Sequence, residues 1–233
     1  MSEQPTYAGL PGPVQPDTSA EVPGSLAALL RSALPIALAL PLLTGLQLGV
    51  PDGTFLLQVL YQVGVAIVLA VSLNVVNGFT GQFSIGHAGF MAVGAYASAY
   101  LTLLHQTASA GREVSGFEAQ LVFVGALLFG AVLAALAGLV VGIPSLRLKG
   151  DYLAIVTLGF GEIIRVVIEQ TPALGAQTGL SNIPARASLF WVYFWVFVTV
   201  LVARRLLASS HGRALLAIRE DEVAAEAMGV DTT

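Results

Sequence analysis

Apolar residues occur along this chain in long runs separated by short polar breaks, from residue 26 onward. None of the runs alternates between apolar and polar positions, as the strands of a membrane barrel do. Their lengths compare with the ~20 residues that a helix needs to cross a bilayer. The pattern therefore predicts an all-α polytopic membrane protein with six spans, at residues 26–50, 55–76, 83–104, 119–143, 153–168 and 189–203.

The fifth run is short, with 16 residues. As a helix, residues 153–168 would measure roughly 24 Å, against the ~30 Å hydrocarbon core of a bilayer. A full crossing and a broken or re-entrant helix are therefore both open for this run.

The two ends of the chain differ from its middle. Residues 1–25 contain five of the eleven prolines and neither Lys nor Arg, so they lack the basic start of a signal peptide. Beyond residue 203 charged side chains become frequent. We predict a disordered tail over residues 1–25, a transmembrane domain over residues 26–203 and a cytoplasmic segment over residues 204–233.

Composition and the absence of known motifs exclude several classes of function. Charged residues make up 10% of the chain, against about 25% in soluble domains. The single lysine, Lys149, precedes Gly150 rather than Ser or Thr, so no phosphate-binding Walker loop is encoded. Cysteine is absent, and no catalytic triad or metal-spaced cluster occurs. We predict no enzymatic activity, no cofactor or metal bound by this chain, and no nucleic-acid partner.

The ten basic residues predict the orientation, because Lys and Arg in short loops stay in the cytoplasm. With six spans and a cytoplasmic N-terminus, two basic residues lie outside, Arg112 and Arg186, and one, Arg165, lies within a span. The other seven lie inside: Arg31, Arg147, Lys149, Arg204, Arg205, Arg213 and Arg219.

A polar, glycine-rich break separates the second and third runs. Irregular backbone at membrane depth is tolerated only where protein or a wet cavity covers it. The break is therefore either an interfacial turn or a discontinuous helix beside a solute pathway. The break extends from Asn74 to His87 and so includes the polar ends of both runs. The candidate pathway residues lie in this break, on the fifth run or just before it: Asn74, Thr80, Gly81, Gln82, Ser84, His87, Asp151, Thr157 and Glu162.

Three features within the spans are open to a structural and a functional interpretation. Glu162 and Arg165 are three residues apart on one helical face. They form either a structural ion pair or a pair of functional charges in the membrane. For His87, a packed, hydrogen-bonded role is favoured over ligand or proton-relay chemistry. Small residues recur every fourth position in the fourth run and favour close helix packing: Ala126, Gly130, Ala134, Gly138 and Gly142.

The segment after residue 203 predicts a short amphipathic helical region that begins at Ser209 or Ser210 and stops at Gly229. Its acidic residues disfavour binding to anionic lipid: Glu220, Asp221, Glu222 and Glu226.

Four strings in this order resemble the permease subunit of branched-chain amino acid ABC transporters, the LivM type. They are SLNVVNGFTGQFSIGHAGFMAVGAYASAYL, LRLKGDYLAIVTLGFGEIIRVV, GLSNIP and GRALLAIREDEVAAEAMGVDTT. The last string also resembles the ATPase-coupling loop of bacterial ABC importers, a Glu-Ala-Ala followed by Gly. Ala224, Ala225 and Gly229 match that pattern, whereas Val223 occupies the glutamate position between Glu222 and the alanines. The resemblance therefore implies a coupling loop at Glu222, Ala224, Ala225, Glu226 and Gly229.

The resemblance further implies an importer of Leu, Ile or Val in the lipid of a bacterial plasma (inner) membrane. Its partners would be a second permease subunit, two ATPase subunits that bind ATP, and an extracytoplasmic amino-acid-binding protein. The family continues with further spans beyond the coupling loop, so we expect a truncated chain. Related permeases for urea or short amides are an alternative, as is a proton-coupled secondary transporter that uses Glu162. A secondary transporter has no use for an ATPase-docking helix.

Overall fold

The computed structural model describes residues 54–109, 116–145, 148, 151–184 and 186–230, together with residues 41, 45, 47 and 49. The predicted tail and most of the first run lie outside these residues. Throughout the described part the regular structure is helical and contains no strand. The helices are α1 (Phe55–Asn74), α2 (His87–Ala108), α3 (Phe117–Ser145), α4 (Asp151–Gln170), α5 (Leu189–Ala208), α6 (Ser210–Glu220) and α7 (Glu222–Ala227).

Shorter helical turns join these elements. A π-helical turn, Val75–Phe79, prolongs α1, and two 3-10 turns, Pro172–Leu174 and Ala176–Thr178, follow α4. Helix α2 begins at His87, not at the predicted residue 83, because residues 81–85 form no regular structure. The predicted start was wrong because the apolar side chains of Phe83 and Ile85 belong to this irregular stretch.

Three of the described helices are long and apolar enough to cross a membrane: Phe55–Phe79, Phe117–Ser145 and Leu189–Ala208. This confirms the all-helical membrane class. Helix α4 is continuous over 20 residues, about 30 Å long at 1.5 Å per residue. The predicted length of 16 residues was therefore wrong, because the polar ends Asp151 and Gln170 also belong to the helix. That α2 and α4 cross the bilayer stays a prediction.

Small residues bring α2 and α3 together. A Cβ atom added to Gly130 would lie 2.5 Å from the carbonyl oxygen of Gly94, and one added to Gly94 would lie 3.3 Å from Cβ of Ala134. Gly130 and Ala134 therefore lie at the close approach of α2 and α3. At Gly138 and Gly142 an added Cβ would meet no described atom within 4 Å. Their part in packing stays a prediction, and it would need a second chain or a segment outside the described residues.

Contacts between helix ends show that successive helices alternate in direction. The Tyr61 hydroxyl, near the start of α1, donates to the carbonyl oxygen of Ala187 at 3.3 Å. Trp191 Nε1, near the start of α5, donates to Gln120 Oε1, near the start of α3, at 2.6 Å. The starts of α1, α3 and α5 therefore lie at one end of the bundle, which the predicted orientation makes the outer end. The π-helical turn at the other end of α1 contacts α6 of the cytoplasmic segment.

Candidate functional site

The side-chain amide of Asn77 hydrogen-bonds across the break between α1 and α2. The backbone N–H of Ser84 donates to Asn77 Oδ1 at 3.1 Å, and Asn77 Nδ2 donates back to the Ser84 carbonyl oxygen at 3.3 Å. The amide therefore pairs with the main chain in both directions, as a neighbouring strand would. This pairing satisfies backbone groups that the helix has released. The residues from 77 to 84 thus form a closed loop of defined shape.

The tip of this loop requires a glycine. Gly81 has a φ of +70°, in the left-handed region that side chains disfavour. Before it, the Thr80 hydroxyl donates to the carbonyl oxygen of Val76 and accepts the N–H of Gln82 at 3.4 Å. The bonded hydroxyl caps the end of the π-helical turn and directs the chain into Gly81.

The residues that follow the loop lie against α4. The N–H of Ile85 donates to Thr157 Oγ1 at 3.1 Å, and this hydroxyl donates to the Ala154 carbonyl oxygen at 3.1 Å. Thr157 is 6% exposed. A Cβ atom at Gly86 would lie 3.2 Å from Cβ of Thr157 and closer still to its carbonyl oxygen. Thr157, a predicted pathway residue, therefore joins the break to α4 by a partly buried hydrogen bond.

Two further predicted residues tie the break to α1. Ser72 Oγ and His87 Nε2 lie 2.8 Å apart and share a hydrogen bond, which agrees with the packed role favoured for His87. The side chain of Asn74 lies beside Gly78, where an added Cβ would collide with Asn74 Oδ1. The predicted pathway residues Asn74, Thr80, Gly81, Gln82, Ser84 and His87 therefore form one connected unit. Asp151 is the first residue of α4.

Charged side chains form a cluster on α4. Arg165 Nη1 lies 3.4 Å from Glu162 Oε2, as the three-residue spacing predicts, and Arg165 Nε lies 2.9 Å from Glu169 Oε1. The sequence reasoning missed Glu169, although its spacing of four residues from Arg165 is also that of a helical ion pair. The three side chains are 58%, 64% and 39% exposed in chain order. Because ionised groups at membrane depth avoid lipid, we expect protein or water to cover this face.

The cluster lines a groove between α2 and α4. The groove encloses about 290 Å³; Ala92 and Tyr96 form its α2 side, and Ile85 of the break also lines it. Glu162 and Arg165 lie on its α4 side. The break and the charged face thus meet in one groove.

Local hydrogen bonds define the segment that the sequence predicts to be cytoplasmic. Ser209 Oγ accepts the N–H of Gly212 at 3.2 Å and caps α6, which confirms the predicted start. Gly229, with a φ of +84°, confirms the predicted stop. Its N–H donates to the Glu226 carbonyl oxygen at 3.0 Å, and that of Val230 donates to the Ala225 carbonyl oxygen at 3.1 Å. This is the Schellman pattern of a helix end.

The segment is divided into two helices. Asp221 is extended, with a φ of −159°, and its side chain accepts from the N–H groups of Val223 and Ala224 at 2.9 and 3.1 Å. Asp221 therefore ends α6 and caps α7. The cap satisfies two of the free N–H groups at the start of α7.

Helix α7 presents an apolar surface. Val223 is 76% and Met228 is 85% exposed, and both Ala224 and Ala227 are exposed beside them. We call these four residues the α7 surface. Ala225, by contrast, is 5% exposed and is packed within the chain. Of the other residues predicted to form a coupling loop, Glu226 is exposed and Glu222 is half-buried.

One arginine joins the cytoplasmic segment to the break. Arg219 Nη1, near the end of α6, donates to the Gly78 carbonyl oxygen at 2.9 Å. A Cβ atom added to Gly81 would lie only 2.7 Å from Cγ of Arg219. The guanidinium also bonds Glu220 Oε1, from Nε at 3.2 Å. No spacing in the sequence indicated Arg219, because its partner lies 141 residues away.

A family model described as the permease component of branched-chain amino acid transport systems matches residues 55–233. The high-affinity branched-chain amino acid transport system permease protein LivM of Escherichia coli is 35% identical over 200 residues, 70% of this chain and 44% of that protein. Its counterpart in Salmonella typhimurium is 34% identical over 203 residues, 72% of this chain and 44% of the relative.

A probable branched-chain amino acid transport permease protein LivM of Methanocaldococcus jannaschii is 29% identical over 204 residues, 75% of this chain and 59% of the relative. The chain thus spans about half the length of the curated relatives that it matches. No solved structure matches the chain.

Proposed function

The chain belongs to the family of permease components of branched-chain amino acid transport systems, and from this premise we propose that it is the membrane-spanning subunit of an ATP-driven importer for leucine, isoleucine and valine. The observation that carries the proposal is the family match over residues 55–233. That match includes the break, the charged face of α4 and the cytoplasmic segment.

We infer that the importer lies in a bacterial plasma membrane. It contains a second permease subunit and two ATPase subunits, and a solute-binding protein delivers its substrate. ATP is bound by the ATPase subunits, and this chain contributes transport rather than catalysis. The exposed charged face of α4 supports a second permease subunit, since that face needs protein or water to cover it.

The geometry supports a route for coupling. An ATPase subunit binds the α7 surface, because Val223 and Met228 expose apolar area that a partner would bury. Helices α6 and α7 contact each other directly, so movement of α7 would move the end of α6. Arg219 lies at that end and contacts Gly78 and Gly81. The movement therefore reaches the break directly.

From the break, the movement reaches the pathway through α4. The hydrogen bond between Ile85 and Thr157 joins the break to α4, whose charged face contains Glu162. A shift of the break relative to α4 would widen or narrow the groove between α2 and α4. We propose that this groove is part of the pathway and that Asn74, Thr80, Gly81, Gln82, Ser84, His87, Asp151, Thr157 and Glu162 shape it.

Uptake by the complete assembly tests the proposal. The full-length gene product, its partner permease, the ATPase subunits and the binding protein are reconstituted in proteoliposomes. We expect uptake of labelled leucine that requires ATP and binding protein and that isoleucine and valine reduce. The control contains ATPase subunits that cannot hydrolyse ATP. Uptake of urea in place of leucine would contradict the proposed substrate, and leucine uptake driven by a proton gradient without ATP would contradict the class of transporter.

A further inference from the structure

A second cavity lies at the outer end of the bundle, away from the groove. It encloses about 420 Å³ between α1, α2, α3 and the connection that precedes α5. That volume falls within the range of roughly 300–1,000 Å³ of small-molecule sites. Tyr61, Thr102, Phe123 and Arg186 are among its lining residues. The coupling route described above does not involve this cavity.

The cavity contains a buried cationic donor without a partner. Arg186 Nη1 is inaccessible to solvent and has no hydrogen-bond partner among the described residues. A guanidinium only donates hydrogen bonds, and its two parallel N–H groups match a carboxylate. A buried polar atom without a partner is unusual and calls for an explanation. An oxyanion in the cavity would supply the missing acceptor.

Two hydroxyls on α2 can accept hydrogen bonds from a ligand, whereas Arg186 can only donate them. Thr102 Oγ1 donates to the carbonyl oxygen of Ser98 at 2.8 Å, and Ser98 Oγ donates to that of Ala95 at 3.0 Å. Each hydroxyl has one proton, which these bonds use, so its lone pairs remain to accept from a ligand. Both residues line the cavity. An ammonium group, which only donates, is the complementary ligand group.

Most of the remaining wall is apolar. Ala126, Leu127, Ile183 and Phe123 line it, and none of them has a polar side-chain atom. The cavity therefore combines a donor for an anion, acceptors for a cation and a surface for a hydrocarbon group. An aliphatic amino acid in its zwitterionic form contains all three.

Resting on the proposed function, we propose that this cavity holds the transported amino acid. Its carboxylate would bind Arg186, its ammonium would bind Ser98 and Thr102, and its branched side chain would contact the apolar wall. The cavity would receive substrate at the outer end of the bundle before it enters the groove beside α4. An acidic lipid headgroup also has an oxyanion, but it offers no ammonium next to a short branched chain.

Equilibrium binding tests this proposal. The full assembly is placed in nanodiscs without the binding protein and titrated with labelled leucine. We expect saturable binding that valine displaces and that leucinamide, which lacks the carboxylate, does not. Arg186→Met should weaken leucine binding at least about tenfold, equivalent to about 1.4 kcal/mol. Arg213→Met, which removes a cytoplasmic arginine, is the matched control and should bind normally.

A second variant covers the case in which Arg186→Met reduces abundance. Thr102→Val removes one acceptor with little change of shape and should weaken leucine binding several-fold. Unchanged binding in both variants would overturn the inference. Leucine binding that disappears in nanodiscs made with anionic lipid, and returns in zwitterionic lipid, would assign the cavity to a headgroup and also overturn it.

ATP-driven uptake by the same wild-type preparation separates the two proposals. If leucine uptake is normal and Arg186→Met binds leucine as the wild type does, only the cavity proposal is refuted. Absent leucine uptake would refute the proposed function, and the cavity proposal with it.

Discussion

A single methyl group at Gly81 tests the contact between the cytoplasmic segment and the break. Gly81 has a φ of +70°, and an added Cβ would lie 2.7 Å from Cγ of Arg219. Gly116 provides a matched control with a φ of +67° and no described atom within 4 Å of an added Cβ. Alanine at either position imposes the same backbone strain of about 1–2 kcal/mol. Only Gly81→Ala also displaces Arg219.

The size of the displacement follows from the structure. Ordinary contact begins at 3.4 Å, so a separation of 2.7 Å requires a shift of 3.4 − 2.7 = 0.7 Å. A shift of that size opposes the hydrogen bond of 2.9 Å between Arg219 and the Gly78 carbonyl oxygen. Hydrogen bonds to charged groups contribute about 1.5–3 kcal/mol. Because the Arg219 side chain is 40% exposed, we take about 1 kcal/mol, or roughly fivefold in an equilibrium.

The assay compares leucine uptake and ATP hydrolysis in the reconstituted assembly at equal permease abundance. We expect Gly81→Ala to take up leucine roughly fivefold more slowly than Gly116→Ala, with a smaller change in ATP hydrolysis. More ATP would then be used per leucine. Gly81→Val should have a larger effect, since a β-branched side chain tolerates positive φ least. Equal uptake by the two alanine variants would refute a role for the Arg219 contact in coupling.

Three further predictions address orientation, ATPase binding and the pathway. Cysteine at the exposed position Ser181 should be labelled from outside the cell and cysteine at Ser210 only from inside; the reverse pattern would overturn the assigned orientation. Ala224→Glu should reduce co-purification of the ATPase subunits about tenfold at normal abundance. Ala225→Glu should instead lower permease abundance, because Ala225 is 5% exposed. If both variants lost ATPase association equally at normal abundance, the separate roles of Ala224 in docking and Ala225 in packing would be contradicted. Glu162→Gln should leave permease abundance nearly unchanged yet reduce uptake; normal uptake would remove Glu162 from the pathway.

The sequence determined the helical membrane class and the position of the break, because both depend on local properties. A run of apolar residues long enough to cross a bilayer is recognisable without any tertiary contact. Helix ends are local too: the Ser209 cap and the Gly229 stop satisfy backbone groups within a few residues. The apolar pattern placed the start of α2 too early, since it does not distinguish an irregular apolar stretch from the first turn of a helix.

Tertiary structure alone decided which of several similar residues make contact. Gly130 packs against α2 while Gly138 faces no described atom, although both belong to one stripe with a four-residue repeat. Helical spacing likewise does not reveal that Ala225 is buried and Ala224 exposed. The bond between Arg219 and Gly78 joins residues 141 positions apart. Such contacts depend on how whole helices pack, and that packing is set by many side chains together rather than by the spacing of any one pair.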